Sequence, residues 1–356
     1  MQRAVELAWR GLYTAHPNPM VGCVVARDEE IVGEGWHKIA GGAHAEVNAL
    51  RDAGARARGA TVYVTLEPCC HEGKTPPCAD ALIEAGVAEV VIGIQDPNPA
   101  VDGGGIAALG KAGITTRAGL LEDAVGSQLS GFLSRVRRGR PFVRLKMACS
   151  LDGCIAMANG QSQWITGTEA RADVQRLRAR SGAILSGIGT VLADDPSFTV
   201  RDPGIDLAGR QPLRAVLDSR LRMPLSAEML ALDGHTVVYC VSDRKQKALD
   251  DAGAEVVRVA SSDGQVSVIA VLEDLGARGI NDVLVEAGPL LSGKLISSAL
   301  VDELVIYQAP HIMGSETMGM LQTPDWTELT DRRALDIVDV TRIGPDTRLT
   351  ATFVDD

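Results

Sequence analysis

The chain has 356 residues, of which 46% are hydrophobic and 23% are charged, and its formal net charge at neutral pH is −11. This length favours two domains, and the acidic charge disfavours binding to extended nucleic acid. No apolar run reaches the ~18 residues that a membrane helix needs, and the N-terminus does not resemble a signal peptide, so we expect a cytoplasmic protein that binds no membrane.

The first half of the sequence alternates between strand and helix patterns. Strands are predicted over 21–26, 31–36, 61–65 and 87–94, and helices over 1–12, 44–53, 77–85 and 121–139. The first two strands are predicted to pair through a turn at Asp28-Glu29-Glu30. This order predicts an α/β fold with a mostly parallel sheet. The last of these helices becomes basic, a pattern typical of a solvated helix end. Its basic residues are Arg135, Arg137, Arg138 and Arg140.

Pro141 interrupts this basic helix, and a new strand pattern starts directly after it. We therefore place a boundary there, with domains over 1–140 and 141–356. In the second domain, strands are predicted over 142–148, 182–186, 213–218, 235–240, 282–285 and 302–308, and helices over 168–179 and 289–299. The segment 196–212 is rich in proline and glycine and is predicted to be a loop.

Histidine and cysteine residues concentrate in the first domain, which favours metal binding or catalysis over a disulfide framework. His44, Cys69 and Cys78 can supply three ligands to a tetrahedral zinc ion and leave the fourth position for water. Each lies at or near a predicted helix start, where the helix dipole favours a thiolate. Cys70 is adjacent to Cys69 and is expected to point elsewhere.

Glu46 follows His44 by two residues and is suited to carry the proton of a zinc-activated water. Zinc deaminases of nucleobases have the pattern H-x-E followed by P-C-x-x-C, in which the glutamate is not a ligand. Here the second cysteine comes nine residues after the first rather than three. The residues therefore predict deaminase chemistry with a distinctive cysteine spacing.

Two other interpretations remain open on these residues. The first is a zinc deaminase of a free nucleoside or of RNA whose second half only binds a ligand; the acidic charge and the lack of interleaved aromatic and basic residues argue against RNA. The second is a structural zinc protein whose second half senses a nucleotide. A structural site normally has four protein ligands, so this interpretation requires Cys70 or His71 to join the other three.

The second half contains a pattern suited to an anionic cofactor. Residues 283–289 predict a strand and a glycine turn that lead into a helix N-terminus, which can hold a diphosphate. The pattern is not the G-x-G-x-x-G fingerprint, so on these residues alone a dinucleotide site is one of several possibilities.

Several motifs resemble the riboflavin-biosynthesis deaminase, a member of the cytidine-deaminase-like fold. They are HPNPMVG at 16–22, GEGWH at 33–37, TLEPC at 65–69, GKTPPC at 73–78 and QDPNP at 95–99. The second half resembles the reductase domain of the bifunctional enzyme, which has a dihydrofolate-reductase-like fold and uses NADPH. Its motifs are SLDG at 150–153, QWIT at 163–166, TVLADDP at 190–196 and VEAGP at 285–289. The resemblance covers essentially the whole chain.

The resemblance implies that the first domain deaminates a diaminopyrimidine that carries a ribosyl phosphate. Glu46 would be catalytic, and zinc would be bound by His44, Cys69 and Cys78. The residues implied to bind this substrate are Asn18, His37, His71, Lys74, Asp96 and Asn98. Asparagine can recognise a pyrimidine edge, and Lys74 with the two histidines can meet the phosphate.

For the second domain, the resemblance implies NADPH-dependent reduction of the ribosyl group to a ribityl chain. The implied substrate contacts are Ser162, Arg178, Thr190, Phe198, Arg201 and Glu286. The implied NADPH contacts are Ala148, Trp164, Asp194, Ser219, Gly288, Pro289, Leu290, Leu291, Ser292, Gly293 and Lys294. Arg178 and Arg201 offer bidentate donors to a phosphate, and Lys146 and Asp194 are candidates for proton supply. We also expect a homo-oligomer.

Overall fold

A computed structural model of the protein describes residues 1–73, 76–242 and 245–354. Contacts within the chain divide it into two compact units. The first comprises Met1–Arg140 with the short segment Asp206–Ala208, and the second comprises Pro141–Ile205 with the chain from Gly209 onward. No helix in the described ranges combines the length and apolarity that crossing a bilayer requires.

The first unit is built on a five-stranded sheet in the order β2-β1-β3-β4-β5. Its strands are β1 (Gly22–Arg27), β2 (Glu30–Trp36), β3 (Thr61–Leu66), β4 (Glu89–Ile94) and β5 (Thr115–Ala118). Strand β1 runs antiparallel to both β2 and β3, whereas β3, β4 and β5 are parallel. The sheet is therefore mixed rather than mostly parallel. Asp28 and Glu29 adopt positive φ in the expected turn that makes β1 and β2 a hairpin, and β1 is also antiparallel to β3.

Six α-helices accompany this sheet in the described part of the unit. They are α1 (Gln2–Ala8), α2 (Ala45–Ala53), α3 (Cys78–Ala85), α4 (Gly104–Lys111), α5 (Glu122–Gln128) and α6 (Ser130–Arg138). The prediction of one helix over 121–139 is wrong, because the chain leaves helical geometry at Leu129. Leu129 is buried in the core, and the serines and glycines on both sides of it are weak helix formers.

Helix α2 packs closely on β2 because two glycines of that strand lie beneath it. A Cβ atom on Gly35 would lie 2.4 Å from the carbonyl oxygen of Ala45 and 2.4 Å from the amide nitrogen of Ala49. A Cβ atom on Gly33 would lie 2.4 Å from the carbonyl oxygen of Ala49. Any larger residue at these positions would force the helix away from the sheet.

The second unit is built on a nine-stranded sheet in the order β11-β10-β9-β8-β14-β6-β15-β18-β17. Its strands are β6 (Phe142–Ser150), β8 (Ala183–Gly187), β9 (Leu213–Leu217), β10 (Thr236–Cys240), β11 (Ala254–Arg258), β14 (Asp282–Glu286), β15 (Glu303–Ala309), β17 (Leu335–Ile343) and β18 (Asp346–Phe353). Neighbouring strands are parallel from β11 to β15. The pairs of β18 with β15 and with β17 are antiparallel.

Smaller elements complete this unit. Two short ribbons pair β7 (Cys154–Ala156) with β16 (Met318–Gly319) and β12 (Ser261–Ser262) with β13 (Gln265–Val266). The described α-helices are α7 (Thr168–Arg180), α8 (Ile188–Asp194), α9 (Gln246–Asp251), α10 (Val268–Ala277) and α11 (Pro289–Ser297). The segment 196–212 contains no helix or strand, as its composition predicts.

A buried polar contact ties α7 to the sheet. The Tyr307 hydroxyl on β15 donates a hydrogen bond to Asp173 Oδ2 on α7 at 2.7 Å, and Arg348 of β18 donates to the same oxygen at 2.9 Å. Because Asp173 is buried, an unpaired carboxylate there would be costly, and both partners satisfy it.

Candidate active sites

Three candidate ligands of the first unit converge on one point. His44 is the residue before α2, Cys78 is the first residue of α3, and Cys69 lies in the loop after β3. Their ligand atoms all lie within 4.8 Å of one another. His44 Nδ1 is 3.2 Å from Cys78 Sγ and 3.6 Å from Cys69 Sγ.

These separations fit a tetrahedral zinc ion. Zn–S bonds of about 2.3 Å and Zn–N bonds of about 2.0 Å at tetrahedral angles put ligand atoms roughly 3.5 Å apart. The backbone amide of Cys78 also donates to Cys69 Sγ at 3.3 Å. Hydrogen bonding with Cys78 and with His44 holds the pKa of the Cys69 thiol well below its usual range, so this sulfur is available as a thiolate ligand.

Neither of the two possible fourth ligands joins this group among the described residues. Cys70 Sγ is directed toward the carbonyl oxygen of Ala100 at 3.8 Å, which agrees with the expectation that it points elsewhere. His71 is exposed and lines the neighbouring cavity. The three ligands therefore leave an open coordination position, which is typical of a catalytic rather than a structural zinc site.

Glu46 lies beside the three ligands and is only 3% exposed. It belongs to the first turn of α2 and lines the same cavity as His44 and Cys69. Burial raises the pKa of Glu46 to about 7. A carboxyl group with such a pKa can both take up and release a proton near neutral pH.

The cavity next to this group has a volume of about 330 Å³. Five of the six residues that the resemblance implies for substrate binding line it: Asn18, His37, His71, Asp96 and Asn98. The sixth, Lys74, lies outside the described residues.

His37 is held as a neutral imidazole at the wall of this cavity. Burial lowers the pKa of His37. The Asn18 amide nitrogen lies 3.0 Å from His37 Nε2, and His37 Nδ1 lies 3.2 Å from the carbonyl oxygen of Ala43. The tautomer that satisfies both contacts carries its proton on Nδ1 and accepts from Asn18 at Nε2, so Asn18 is held in a fixed orientation.

Glu67 has a positioning role that the sequence did not indicate. Its buried carboxylate accepts backbone hydrogen bonds from Asp96 at 3.2 Å, Gly103 at 3.1 Å and Ile106 at 3.1 Å. These bonds fix the segment that carries Asp96 and Asn98. Burial raises the pKa of Asp96 to about 6. The signal that could have revealed this role is a carboxylate placed directly after the apolar strand β3.

Arg135 differs from the solvated helix end expected for the basic run. It is partly buried in α6 and lines the same cavity, together with Phe132. Its guanidinium lies 5.8 Å from the centre of the Phe132 ring, and burial lowers the pKa of Arg135. Arg137 and Arg138 are exposed, so the expectation holds for these two residues.

The second unit contains a large cleft of about 2110 Å³, which includes residues at the carboxyl ends of β14, β8 and β9. All six implied substrate contacts line it: Ser162, Arg178, Thr190, Phe198, Arg201 and Glu286. The implied cofactor contacts that line it are Ala148, Trp164, Asp194, Ser219, Gly288, Pro289, Leu290, Leu291 and Lys294. Ser292 and Gly293 are buried in α11 and do not line the cleft.

Three charged side chains form the buried centre of this cleft. Arg178 donates two hydrogen bonds to Glu286, from Nε at 2.6 Å and from a terminal nitrogen at 3.0 Å. Lys146 Nζ lies 3.8 Å from the same carboxylate. Burial opposes ionisation of Glu286, but the charges of Arg178 and then Lys146 lower its pKa to about 2. Burial lowers the pKa of Lys146, and the nearby Glu286 opposes that shift.

Arg178 and Arg201 differ in what they can offer a phosphate. Arg178 donates two hydrogen bonds to Glu286 and a third to the carbonyl oxygen of Thr199 at 3.1 Å. These bonds use three of the five N–H donors of Arg178 and leave one on each terminal nitrogen, so its contact with a phosphate stays a prediction. Arg201 contacts the Ser197 hydroxyl through one nitrogen and lines the cleft.

Two further cleft residues have defined environments. The Trp164 ring is 70% exposed, and the Arg171 guanidinium lies 4.6 Å from its centre. The Ser219 hydroxyl donates to Gln265 Oε1 at 3.0 Å and accepts from the amide of Val266 at 3.0 Å. Ser219 therefore connects the end of β9 to the ribbon that contains β13.

Comparison with known proteins gives consistent matches to both units. Residues 1–94 match the profile of the cytidine and deoxycytidylate deaminase zinc-binding region, and residues 141–349 match that of the RibD C-terminal domain. The chain is 46% identical to riboflavin biosynthesis protein RibD of Escherichia coli (strain K12), over 97% of this chain and 96% of that protein. It is also 46% identical to RibD of Haemophilus influenzae, over 99% of this chain and 96% of that protein.

Solved structures agree over the full length. The Acinetobacter baumannii RibD structure superposes with a TM-score of 0.93 at 43% identity and covers 99% of this chain and 98% of that chain. The Thermotoga maritima structure, described as a diaminohydroxyphosphoribosylaminopyrimidine deaminase/5-amino-6-(5-phosphoribosylamino)uracil reductase, has a TM-score of 0.86 at 34% identity and covers 99% and 97%.

Proposed function

Because this chain belongs to the RibD family of bifunctional riboflavin-biosynthesis deaminase/reductases, we propose that it acts on 2,5-diamino-6-(5-phosphoribosylamino)pyrimidin-4-one. Residues 1–140 would deaminate this substrate, and residues 141–356 would reduce the ribosyl group of the product to ribityl. The family carries a zinc-binding deaminase domain and an NADPH-dependent reductase domain. The observation that carries the proposal is the convergence of His44, Cys69 and Cys78 beside buried Glu46.

In the deaminase site, His44, Cys69 and Cys78 would hold the zinc ion. A zinc ion bound there would lower the pKa of a water molecule to near neutrality and so supply the nucleophile. Glu46 takes the proton from the attacking water and delivers it to the ring amine. The carbon–nitrogen bond then breaks and ammonia leaves. The remaining hydroxyl proton passes to a ring nitrogen, so the ring carbon becomes a carbonyl.

The cavity residues would orient the substrate for this attack. Asn18, fixed by its contact with His37, offers an amide to the pyrimidine edge. Asp96 and Asn98, held by Glu67 through the intervening backbone, lie at another wall. His71 faces the cavity from an exposed position suited to the phosphate, and the family resemblance adds Lys74 there.

In the reductase site, NADPH when bound would supply a hydride to C1′ of the ribosyl group. The bond between C1′ and the ring oxygen opens, and that oxygen gains a proton to become a hydroxyl. We assign the proton to Lys146 rather than Asp194, because the Lys146 side chain is only 18% exposed and its Nζ lies 3.8 Å from the Glu286 carboxylate. Glu286, fixed by Arg178, orients the substrate, and Arg201 receives its phosphate.

The cofactor would lie along the carboxyl edge of the sheet, as in other open α/β folds. Helix α11 begins at Pro289 directly after Gly288, so its free amides suit the diphosphate. Ala148, Trp164, Asp194 and Ser219 would contribute further contacts. The seven free cysteines suit a reducing compartment, and we place the enzyme in the cytoplasm as a homo-oligomer, which sedimentation would test.

The test uses the full-length protein with metal analysis and two separate assays. We expect ammonia release from the diaminopyrimidine substrate and NADPH oxidation with the deaminated product. A protein without bound zinc and without ammonia release would refute the deaminase assignment. A protein that does not oxidise NADPH with the deaminated product would refute the reductase assignment.

A further inference from the structure

The loop over 197–201 follows α8 and carries two of the residues implied to contact the reductase substrate. These two residues, Phe198 and Arg201, line the cleft, and the loop belongs to no helix or strand. Phe198 is only 3% exposed and has a positive φ of 46°. A bulky residue rarely adopts this left-handed conformation, so contacts from the surroundings must hold it. The shape of the loop therefore depends on side chains of other segments.

Gln211 holds the middle of this loop through both polar groups of its side-chain amide. The backbone amide of Val200 donates to Gln211 Oε1 at 2.9 Å, and Gln211 Nε2 donates to the carbonyl oxygen of Val200 at 3.2 Å. Val200 is 8% exposed, so losing either bond would leave a poorly hydrated backbone group without its partner. Gln211 lies two residues before β9, whose first residue, Leu213, donates a backbone hydrogen bond to Gly182 at 3.0 Å. The sheet therefore anchors the side chain that holds the loop.

Two residues of α7 hold the loop on either side of Val200. Arg178 donates to the carbonyl oxygen of Thr199 at 3.1 Å, and Gln175 Oε1 accepts from the backbone amide of Arg201 at 2.9 Å. Three consecutive residues of the loop are thus bonded through their backbone to side chains from outside it. Such contacts fix a binding group before the ligand arrives.

The held loop places the charge of Arg201 near the reacting centre. Arg201 contacts the hydroxyl group of Ser197 within the same loop. Burial opposes ionisation of Glu286, but nearby cations lower its pKa to about 2. Arg178 and Lys146 are the larger contributors to this lowering, and Arg201 is a further one. The guanidinium of Arg201 is therefore close enough to the reacting centre to affect its charge.

We propose that Gln211 is a positioning residue of the reductase, which holds Val200 so that Arg201 meets the substrate phosphate. This inference rests on the reductase function proposed above, in which Arg201 receives that phosphate. A guanidinium forms short, directional hydrogen bonds with phosphate oxygens. A small displacement of the backbone that carries it weakens these bonds. Gln211 does not line the cleft, so it acts on the substrate through Arg201 rather than by contact.

A purely structural role for Gln211 makes a different prediction. Gln211→Met keeps the length of the side chain and removes both polar groups of its amide. If Gln211 only stabilised the fold, this change would lower the free energy of unfolding and leave the KM of the folded enzyme unaltered. If Gln211 positions Arg201, KM for the phosphorylated substrate rises, whereas kcat and cofactor binding keep their values.

The test is a double-mutant cycle in the full-length protein. KM and kcat for the deaminated product are measured at saturating NADPH for the wild type, Gln211→Met, Arg201→Ala and the double variant. We expect Gln211→Met to raise KM about fivefold, the equivalent of one hydrogen bond, with kcat within about twofold. In the Arg201→Ala background the same change should raise KM by less than about twofold, because the group that Gln211 positions is gone.

Two further variants complete this experiment. Gln246→Met, at an exposed position at the start of α9, is the matched control and should leave KM unchanged. Gln175→Met removes the acceptor of the Arg201 amide and should show the same pattern as Gln211→Met. It is the second variant, should Gln211→Met fold poorly.

Three results would overturn the inference. The first is a wild-type KM in Gln211→Met. The second is an equal rise of KM in both backgrounds, which would show that Gln211 acts independently of Arg201. The third is a parallel loss of NADP⁺ binding in Gln211→Met, measured by calorimetry, which would indicate general damage to the cleft. A wild type that does not oxidise NADPH with the deaminated product would instead refute the proposed reductase function itself, and with it the need to position Arg201.

Discussion

The two candidate sites differ in how their residues are distributed along the sequence. The candidate zinc ligands of the first unit all lie between positions 44 and 78 and are brought together by the starts of two helices and one loop. In the second unit, Lys146 and Glu286 meet only because β6 and β14 are neighbours in the sheet. A local site can be recognised from the spacing of its residues, whereas a site formed by distant strands depends on topology.

Among the substitutions that test this difference between the two sites, Glu46→Gln is expected to have the largest effect on activity. Glu46→Gln should keep the zinc ligands and lose ammonia release by about 10² to 10⁴-fold, the usual contribution of a general acid/base. NADPH oxidation with the deaminated product should be unchanged, because the two reactions use separate residues. Glu84→Gln, an exposed change on α3, serves as the control. Full ammonia release by Glu46→Gln would exclude Glu46 from the mechanism.

The next largest effect is expected at Glu286. Its carboxylate neutralises two buried cations, Arg178 and Lys146, so Glu286→Gln should abolish most reductase activity and destabilise the second unit by about 3 kcal/mol. Denaturant unfolding at pH 7 measures this loss.

The pH dependence of that loss tests its cause. The folded-state pKa of Glu286, about 2, lies below its ordinary value of 4.5, so the carboxylate stabilises the folded protein above pH ~4.5. This contribution is lost as the pH falls from ~4.5 toward ~2. The difference in unfolding free energy between wild type and Glu286→Gln should shrink over that range. A difference that stays constant with pH would point to lost packing instead of lost charge.

A smaller effect on the deaminase is expected at Glu67, which holds a loop rather than touching the metal group. Glu67→Gln weakens up to three backbone hydrogen bonds, so the segment with Asp96 and Asn98 should be less well ordered. We expect KM for the diaminopyrimidine to rise about tenfold, with a smaller change in kcat and an unchanged zinc content. Loss of zinc would instead place Glu67 in support of Cys69, which lies two residues away.

The smallest effect is expected at Tyr307. Tyr307→Phe removes one hydrogen bond to buried Asp173, which keeps its bond to Arg348, so the second unit should lose about 1 kcal/mol. Tyr239→Phe is a matched comparison, because its acceptor, Asp274, is 29% exposed. We expect thermal unfolding to show the larger loss for Tyr307→Phe, and equal losses would contradict this reasoning.

Much of the fold was predictable where apolar periodicity was strong. The expected strands over 142–148, 182–186 and 213–218 correspond to β6, β8 and β9, whose residues are mostly buried. The sequence did not predict the hairpin of β17 and β18, because most of β17 is exposed and carries no core-facing alternation. The first sheet is mixed because β1 is antiparallel to both of its neighbours, and only its pairing with β2 was predicted from the sequence.

The strength of the local sequence pattern also decided which residues of the candidate sites could be predicted. The candidate zinc ligands and Glu46 followed from residue type and spacing, and the structure brings them together. Glu67 and Arg135 were missed as site residues, because their roles depend on which way a buried side chain faces. The pairing of Arg178 with Glu286 was missed because it joins a helix to a strand more than a hundred positions away.

The glycines beneath α2 fix the position of the helix that begins at the candidate ligand His44, and they therefore influence the affinity for zinc. Zinc–ligand distances lie within about 0.2 Å of their usual values in a well-formed site. His44 and Glu46 lie at the start of α2, so a shift of this helix along the sheet would move them relative to the two cysteines. Gly35 opposes such a shift, because its backbone lies in direct contact with the backbone of Ala45 in α2. Gly35→Ala should therefore push α2 away from β2 and weaken zinc retention, although no candidate ligand is changed.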